Sequence, residues 1–123
     1  MAKKEKNNDI LIAQIIKGIE EVKGNDIDIL DLREIENTVC DYFIICNGTS
    51  NTQVNAIVNS IQKTVSKAIK DKPWHIEGSE NAEWVLMDYV NVVVHVFQKH
   101  IREFYDIESL WGDAKIKSID TNY

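Results

Sequence analysis

The sequence predicts an α/β fold, a single domain with a mixed sheet of about five strands flanked by helices. Three observations carry this expectation. The apolar periodicity changes type along the chain in the order α-β-β-α-β-β-β-α. The stretch WVLMDYVNVVVHVF at 84–97 holds two apolar runs, 84–89 and 92–97, around a polar break at Asn91, the pattern of an antiparallel hairpin. Its second run is almost without polar alternation and rich in β-branched residues, so it belongs in a sheet with both faces covered. A continuous apolar run at 42–46 then leads through Gly48-Thr49-Ser50 into a helical stripe. Strand, helix and next strand in this order imply a right-handed crossover and parallel pairing.

Taken in order, Ile12, Ile15, Ile16, Ile19 and Val22 form one apolar stripe of a first helix over about 8–23, with Asn8 as N-cap and Gly24 as its end. Residues 27–32 alternate apolar and acidic and read as a strand with a solvated face. A second helix over about 51–70 is announced by Ser50 and Gln53, a capping box, and carries the stripe Val54, Ile57, Val58, Ile61, Val65. Pro73 stops it. Residues 74–77 read as a short strand before the hairpin. Ile101, Phe104, Tyr105, Glu108 and Trp111 recur at helical intervals as one short C-terminal helix ending at Gly112. The expected domain is 1–123, with a core over about 9–113 and flexible ends at 1–8 and 114–123.

Composition narrows the classes of function. A chain of 123 residues with 44% hydrophobic and 28% charged residues has the make-up of an ordinary globular domain. No apolar run approaches the roughly 20 residues that cross a bilayer, and the opening MAKKEKNNDI lacks the apolar region of a secretory signal. Cys40 and Cys46 on one extended segment would stand about 20 Å apart at roughly 3.3 Å per residue, too far to bridge, so both are expected as reduced core thiols. A formal charge of −6 and a pI near 5.0 suit a basic protein partner better than a phosphate backbone.

Few residues invite chemistry. The Gly48-Thr49-Ser50 turn opens a helix and offers free N–H groups to an anion, but it has no Walker lysine and only one glycine. Asp28 and Asp31 stand at odd separation and point to opposite faces, and Asp88 is alone, so no acidic pair for divalent metal is expected. His75, His95, His100 and the cysteines match no metal-ligand spacing. What remains is a surface. Across 77–113, acidic residues outnumber Lys99 and Arg102 eight to two, beside Trp84, Phe104 and Tyr105. Aromatics in a field of one sign mark an interface. Equally, Trp84 and Tyr105 are core and the acids a solvated rim; both readings stay open on the residues alone.

The segments DYFIICNGTSNTQV (41–54), IEG (76–78), WVLMDYVNVVVHVF (84–97) and REFYDIESLWGDA (102–114) resemble the ribosome silencing factor, or Iojap, family. The resemblance is colinear from Ile10 to Ala114. It implies a fold akin to nucleotidyltransferases without their catalytic carboxylates, hence no enzyme, no cofactor and no metal. It also implies that the domain binds ribosomal protein fourteen (uL14) on the intersubunit face of the large ribosomal subunit, beside rRNA. The bound domain would block joining of the small subunit and lower translation when nutrients are short. The family motif carries over to Trp84, Asp88, Tyr89, His95, Phe104, Tyr105 and Asp106 as partner-binding candidates, with Trp84 and Tyr105 as apolar anchors and Asp88 and Asp106 facing Lys or Arg. One departure stands out. Val90-Asn91 occupies the place where the family usually has Gly-Asp, and since valine at positive φ is costly, a different turn geometry is expected. The alternative is a nucleotidyltransferase-like nucleotide-binding protein using the Gly48 turn. A cytoplasmic monomer or weak homodimer with no membrane contact completes the expectation.

Overall fold

A computed structural model of the chain describes residues 2–123, with side chains from Asn8 onward. The elements in chain order are α1 (Ala2–Glu21), β1 (Asn25–Asp31), β2 (Tyr42–Gly48), α2 (Asn51–Ile69), β3 (His75–Glu77), β4 (Trp84–Asp88), β5 (Val92–Gln98), α3 (Lys99–Tyr105), α4 (Ile107–Leu110) and β6 (Lys115–Ser118). They form the expected α/β domain around one mixed sheet, which has six strands in the order β3-β4-β5-β2-β1-β6. The hairpin at its centre pairs Trp84 with Phe97, Leu86 with His95 and Asp88 with Val93.

Each face of the sheet buries its own alternate set of side chains, as a strand's period of two requires. On one face α1 and α2 cover Ile27, Ile44, Val85, Met87, Val94 and Val96. The two helices approach closely at Gly18, where a Cβ would stand 2.8 Å from the Ile61 Cα. Ser60 Oγ fixes the crossing by donating to the Gly18 carbonyl at 2.7 Å. The other face buries Leu30, Phe43, Ile45, Val93 and Phe97 beneath α3, the 32–41 connection and α4, which contributes Ile107. Cys46 belongs to the first face and Cys40 to the second, both free and buried, as expected of core thiols. Burial pushes their thiols up to about 12 and about 11.

The structure departs from expectation in four places. The parallel neighbour of β2 is β5, not the strand that follows α2 directly; β3 and β4 lie beyond β5. The continuous apolar run of β5 can be buried on both faces only inside the sheet, and β3, three residues long, is an edge. The helix expected from Asn8 starts at Ala2, because Lys, Glu and Ala are helix formers and no Gly or Pro intervenes. Asn8 is therefore not a cap but an interior, buried residue whose amide donates to Asp41 Oδ2 at 3.3 Å. Met1, the first residue of the expected flexible end, lies outside the described residues. At the other end the segment expected to be loose forms β6 on β1, Ile119 N–H donates to the Ile27 carbonyl, and the Tyr123 hydroxyl bonds the Gly24 carbonyl. Finally, the single C-terminal helix is two, α3 and α4. They are divided at Asp106, whose left-handed φ of 45° closes α3 while its N–H reaches the Arg102 carbonyl.

Candidate functional site

The second sheet face grades from a buried aromatic core to an exposed aromatic edge. Phe43 meets the His95 ring edge-on at 4.6 Å and Trp111 at 5.5 Å. Phe97 stacks on Trp84 at 4.8 Å, and Trp84 leans on Tyr105 at 5.0 Å, which in turn meets Phe104 edge-on at 5.0 Å. Exposure rises along this series. Phe97 is fully buried, Trp84 half-buried, Tyr105 51% and Phe104 78% exposed. Leu110 on α4 is 76% exposed as well. Both readings of Trp84 thus hold part of the truth: it is the joint between core and surface, and the surface itself belongs to Phe104 and Tyr105.

His95 lies under that joint. Trp84 Nε1–H donates to His95 Nδ1 at 3.1 Å, which places the neutral ring's proton on Nε2. His95 Nε2 is buried without a partner among the described residues. Burial drives the imidazole down to about 4, so at neutral pH it is an uncharged acceptor that fixes the indole's orientation. At 4% exposure it lies beneath the surface, in contact with Trp84 and Phe43.

Arg102 organises this edge in a way that sequence patterns do not reveal. Its guanidinium is buried and fully engaged: Nη1 donates to Asn47 Oδ1 at 2.8 Å and the Asp26 carbonyl at 2.5 Å, Nη2 to Asp28 at 2.9 Å, and Nε to Glu108 at 2.9 Å. One side chain so ties α3 to α4, β1 and β2, and sets where Phe104 and Tyr105 emerge. A signal existed. Asn47 is a buried polar residue at the end of the apolar run of β2, and such a residue needs a partner. Because Arg102 is internal, it leaves Glu103 and Asp106 on the surface of α3 without a compensating arginine. Asp106 accepts from Ser109 Oγ at 2.6 Å and remains exposed.

Two of the carried-over residues stand apart from this group. Tyr89 points to the helical face and is buried, its hydroxyl without a partner among the described residues; burial, with the Asp71 carboxylate adding, raises its phenol. Asp88 is half-buried and holds the turn, its Oδ1 accepting from Val90 N–H at 2.7 Å. Val90 takes the costly positive φ itself, at +76°. Asn91 N–H bonds the Tyr89 carbonyl at 3.0 Å and Tyr89 N–H the Val92 carbonyl at 2.9 Å, so a tight γ-turn centres on Val90. The strain is tolerated because Asp88 clamps the turn and the Asn91 carbonyl accepts from Asp41 and Tyr42, tying it to the start of β2.

The strand–turn–helix unit satisfies the Thr49 and Gln53 donors within itself. Gln53 N–H bonds Ser50 Oγ at 3.1 Å, while Gln53 Oε1 accepts from Thr49 N–H at 2.7 Å and Thr49 Oγ1 at 3.0 Å. The capping box is thus formed one residue out of step, with glutamine serving Thr49. Asp28 faces Arg102 and Ser118, and Asp31 faces Arg33, so the two carboxylates are separately engaged. Among the described residues no three His, Cys, Asp or Glu side chains gather where they could hold a metal ion. No described helix is long and apolar enough to cross a membrane.

Fold and site together define a small α/β domain with a mixed six-stranded sheet, one helical face and one aromatic face. The family whose sequence pattern matches it is RsfS, "Ribosomal silencing factor during starvation", over residues 4–122. The chain belongs to this family, and its function is that of a ribosomal silencing factor. It is 42% identical over 102 residues to the Bacillus subtilis ribosomal silencing factor, covering 82% of this chain and 84% of that one. A crystal structure of a Chromobacterium violaceum protein superposes with a TM-score of 0.79 at 39% identity, covering 85% of each chain. A more distant relative, 28% identical over 102 residues and matched over 81% of this chain and 44% of its own length, is the mouse protein named "Mitochondrial assembly of ribosomal large subunit protein 1".

Proposed function

We propose that this protein acts in the cytoplasm by docking its aromatic face on the large ribosomal subunit, through uL14, so that the small subunit cannot join. The observation that carries the reading is the pair Phe104 and Tyr105, exposed beside the half-buried Trp84, where the arginine of the same helix, Arg102, is turned inward. Exposed aromatics backed by a rigid core make low-entropy anchors, and the exposed Glu103 and Asp106 select a cationic neighbour. The name of the mouse relative points to the same subunit. Silencing then needs no bond made or broken; two bodies cannot occupy one face. Nutrient limitation is the condition in which such a block lowers translation to advantage, in keeping with the family's description.

Sucrose-gradient sedimentation with purified subunits tests this. Added protein should travel with the large subunit and reduce joined ribosomes, and Phe104→Ala should lose both effects. A protein that stays at the top of the gradient, or a joined fraction that does not change, refutes the reading. Calorimetry with nucleoside triphosphates and magnesium tests the nucleotide-binding alternative, which the self-satisfied Thr49 and Gln53 donors disfavour.

A further inference from the structure

The charge of this molecule is partitioned in space. The chain has 20 acidic residues, yet none lies between Asp41 and Asp71, the stretch that contains β2 and all of α2. The outward side of α2 instead exposes Asn55, Asn59, Lys63, Ser66 and Lys67. Beside it, the seam between α1 and α2 opens into a groove of about 540 Å³ lined by Gln14, Lys17, Glu21, Lys63, Thr64 and Lys67. Three lysines face one glutamate there, and that glutamate accepts from Thr64 Oγ1 at 3.5 Å. Lys17, Lys63 and Lys67 are exposed and make no ion pair or hydrogen bond among the described residues. This groove is on the helical side of the sheet, opposite the aromatic face.

We propose that the outer surface of α1 and α2 is a second interaction site, one that holds the phosphate backbone of RNA. Charge complementarity gives the sign of the partner. The composition gives its kind. No large apolar side chain is exposed anywhere along α2, so that helix lacks the anchors a protein partner would need. Amide and hydroxyl groups interleaved with lysines are the groups that contact phosphate and sugar oxygens. Nor does α2 contain an aromatic residue for stacking bases, so recognition is of backbone, independent of sequence. The overall charge of −6 does not prevent this, since at about 0.15 M salt the field beyond roughly 8 Å is screened and the local lysines dominate.

Fluorescence anisotropy with a labelled single-stranded 20-nucleotide RNA of mixed sequence tests the site directly. Three lysines neutralising about three phosphates give a log–log salt slope near −2, so binding should weaken roughly ninefold between 50 and 150 mM salt. The triple variant K17Q/K63Q/K67Q should bind about tenfold more weakly at 50 mM salt and with a slope near zero. A charge-matched control, K99Q/K115Q/K117Q, should stay within about twofold of the unaltered protein. Circular dichroism melts of both variants verify that the fold is kept. The proposal is overturned if no saturable binding occurs, if the control loses as much as the groove variant, or if anionic phosphatidylserine vesicles bind the groove more tightly than the RNA does. Phe104→Ala should leave RNA binding unchanged, so this site and the docking face on the other side stand or fall separately.

Discussion

Replacing Arg102 with methionine removes a charge from the interior while keeping most of its volume. Arg102 is 9% exposed, and the carboxylates it pairs with, Asp28 and Glu108, have side chains 22% and 20% exposed. Removing one member of a buried pair typically costs about 3–5 kcal/mol, because the partner charges are left without compensation. Here both carboxylates keep a path to water, which places the loss near the lower end, about 3 kcal/mol. Unfolding entropy of about 2.1 cal/mol/K per residue converts this into a fall in Tm of roughly 12 °C for a chain of 123 residues. The measurement is a calorimetric melt at neutral pH, with proteolysis of the 99–111 segment as a second readout, since α3 and α4 lose the tie to β1 and β2. Adding Asp28→Leu should recover part of the loss, because one of the stranded charges is removed with its partner. A Tm within about 3 °C of the unaltered protein, or a segment no more open to protease, would show that Arg102 is not what holds the aromatic edge in place.

Three further outcomes follow from the site. His95, driven to about 4 by burial from an ordinary value near 6.5, binds its proton more readily in the unfolded chain. Its contribution is whole above about pH 6.5 and is lost as pH falls from there to about 4, a total near 3 kcal/mol; urea titrations of His95→Gln at about pH 7 and pH 4.5 should show a correspondingly smaller pH dependence than the unaltered protein. Val90→Gly should raise stability by about 1 kcal/mol by relieving a β-branched residue at φ +76°, and a lower urea midpoint would contradict the turn as described. Phe104→Ala should change stability by less than about 0.5 kcal/mol, since the ring is 78% exposed, yet abolish sedimentation with the large subunit. A loss of stability comparable to that of Arg102→Met would make Phe104 part of the core instead.

Much of this fold is legible in the sequence, because one signal decides most of it. A run such as Val92-Val93-Val94-His95-Val96-Phe97 has only one place to go, the middle of a doubly covered sheet, and the stripe on α2 with its Ser50 cap has only one face to bury. What periodicity does not carry is which strand pairs with which. The pairing of β2 with β5 rather than β3 depends on which strand is long and apolar enough to be interior, a comparison between distant segments. Nor does periodicity register a single residue in the left-handed region. Asp106 at φ 45° splits what spacing reads as one helix, and the exposed Phe104 and Tyr105 lie on one side of the break and Leu110 on the other. Val90 shows the converse: a conformational preference read correctly as a cost, outweighed by Asp88 and by the hydrogen bonds that Asn91 makes to β2.

Counting charges along the chain has the same weakness, and Arg102 shows why. In sequence it is one of two cations set against the acids of the 77–113 segment, and by that count it softens the field. In space it is inside, facing Asp28 and Glu108, so its charge is spent on those carboxylates and not on Glu103 and Asp106, which face outward. The lysines of α1 and α2 are displaced in the opposite sense: diluted in the net charge of −6, they stand together on the far side of the sheet with one glutamate among them. Since screening limits each charge to its near neighbours, a partner meets one face and not the sum. A domain of this kind can therefore present an aromatic, acidic surface to a basic protein and a lysine-bearing surface to phosphate at the same time. That arrangement is suited to a particle in which protein and RNA lie side by side.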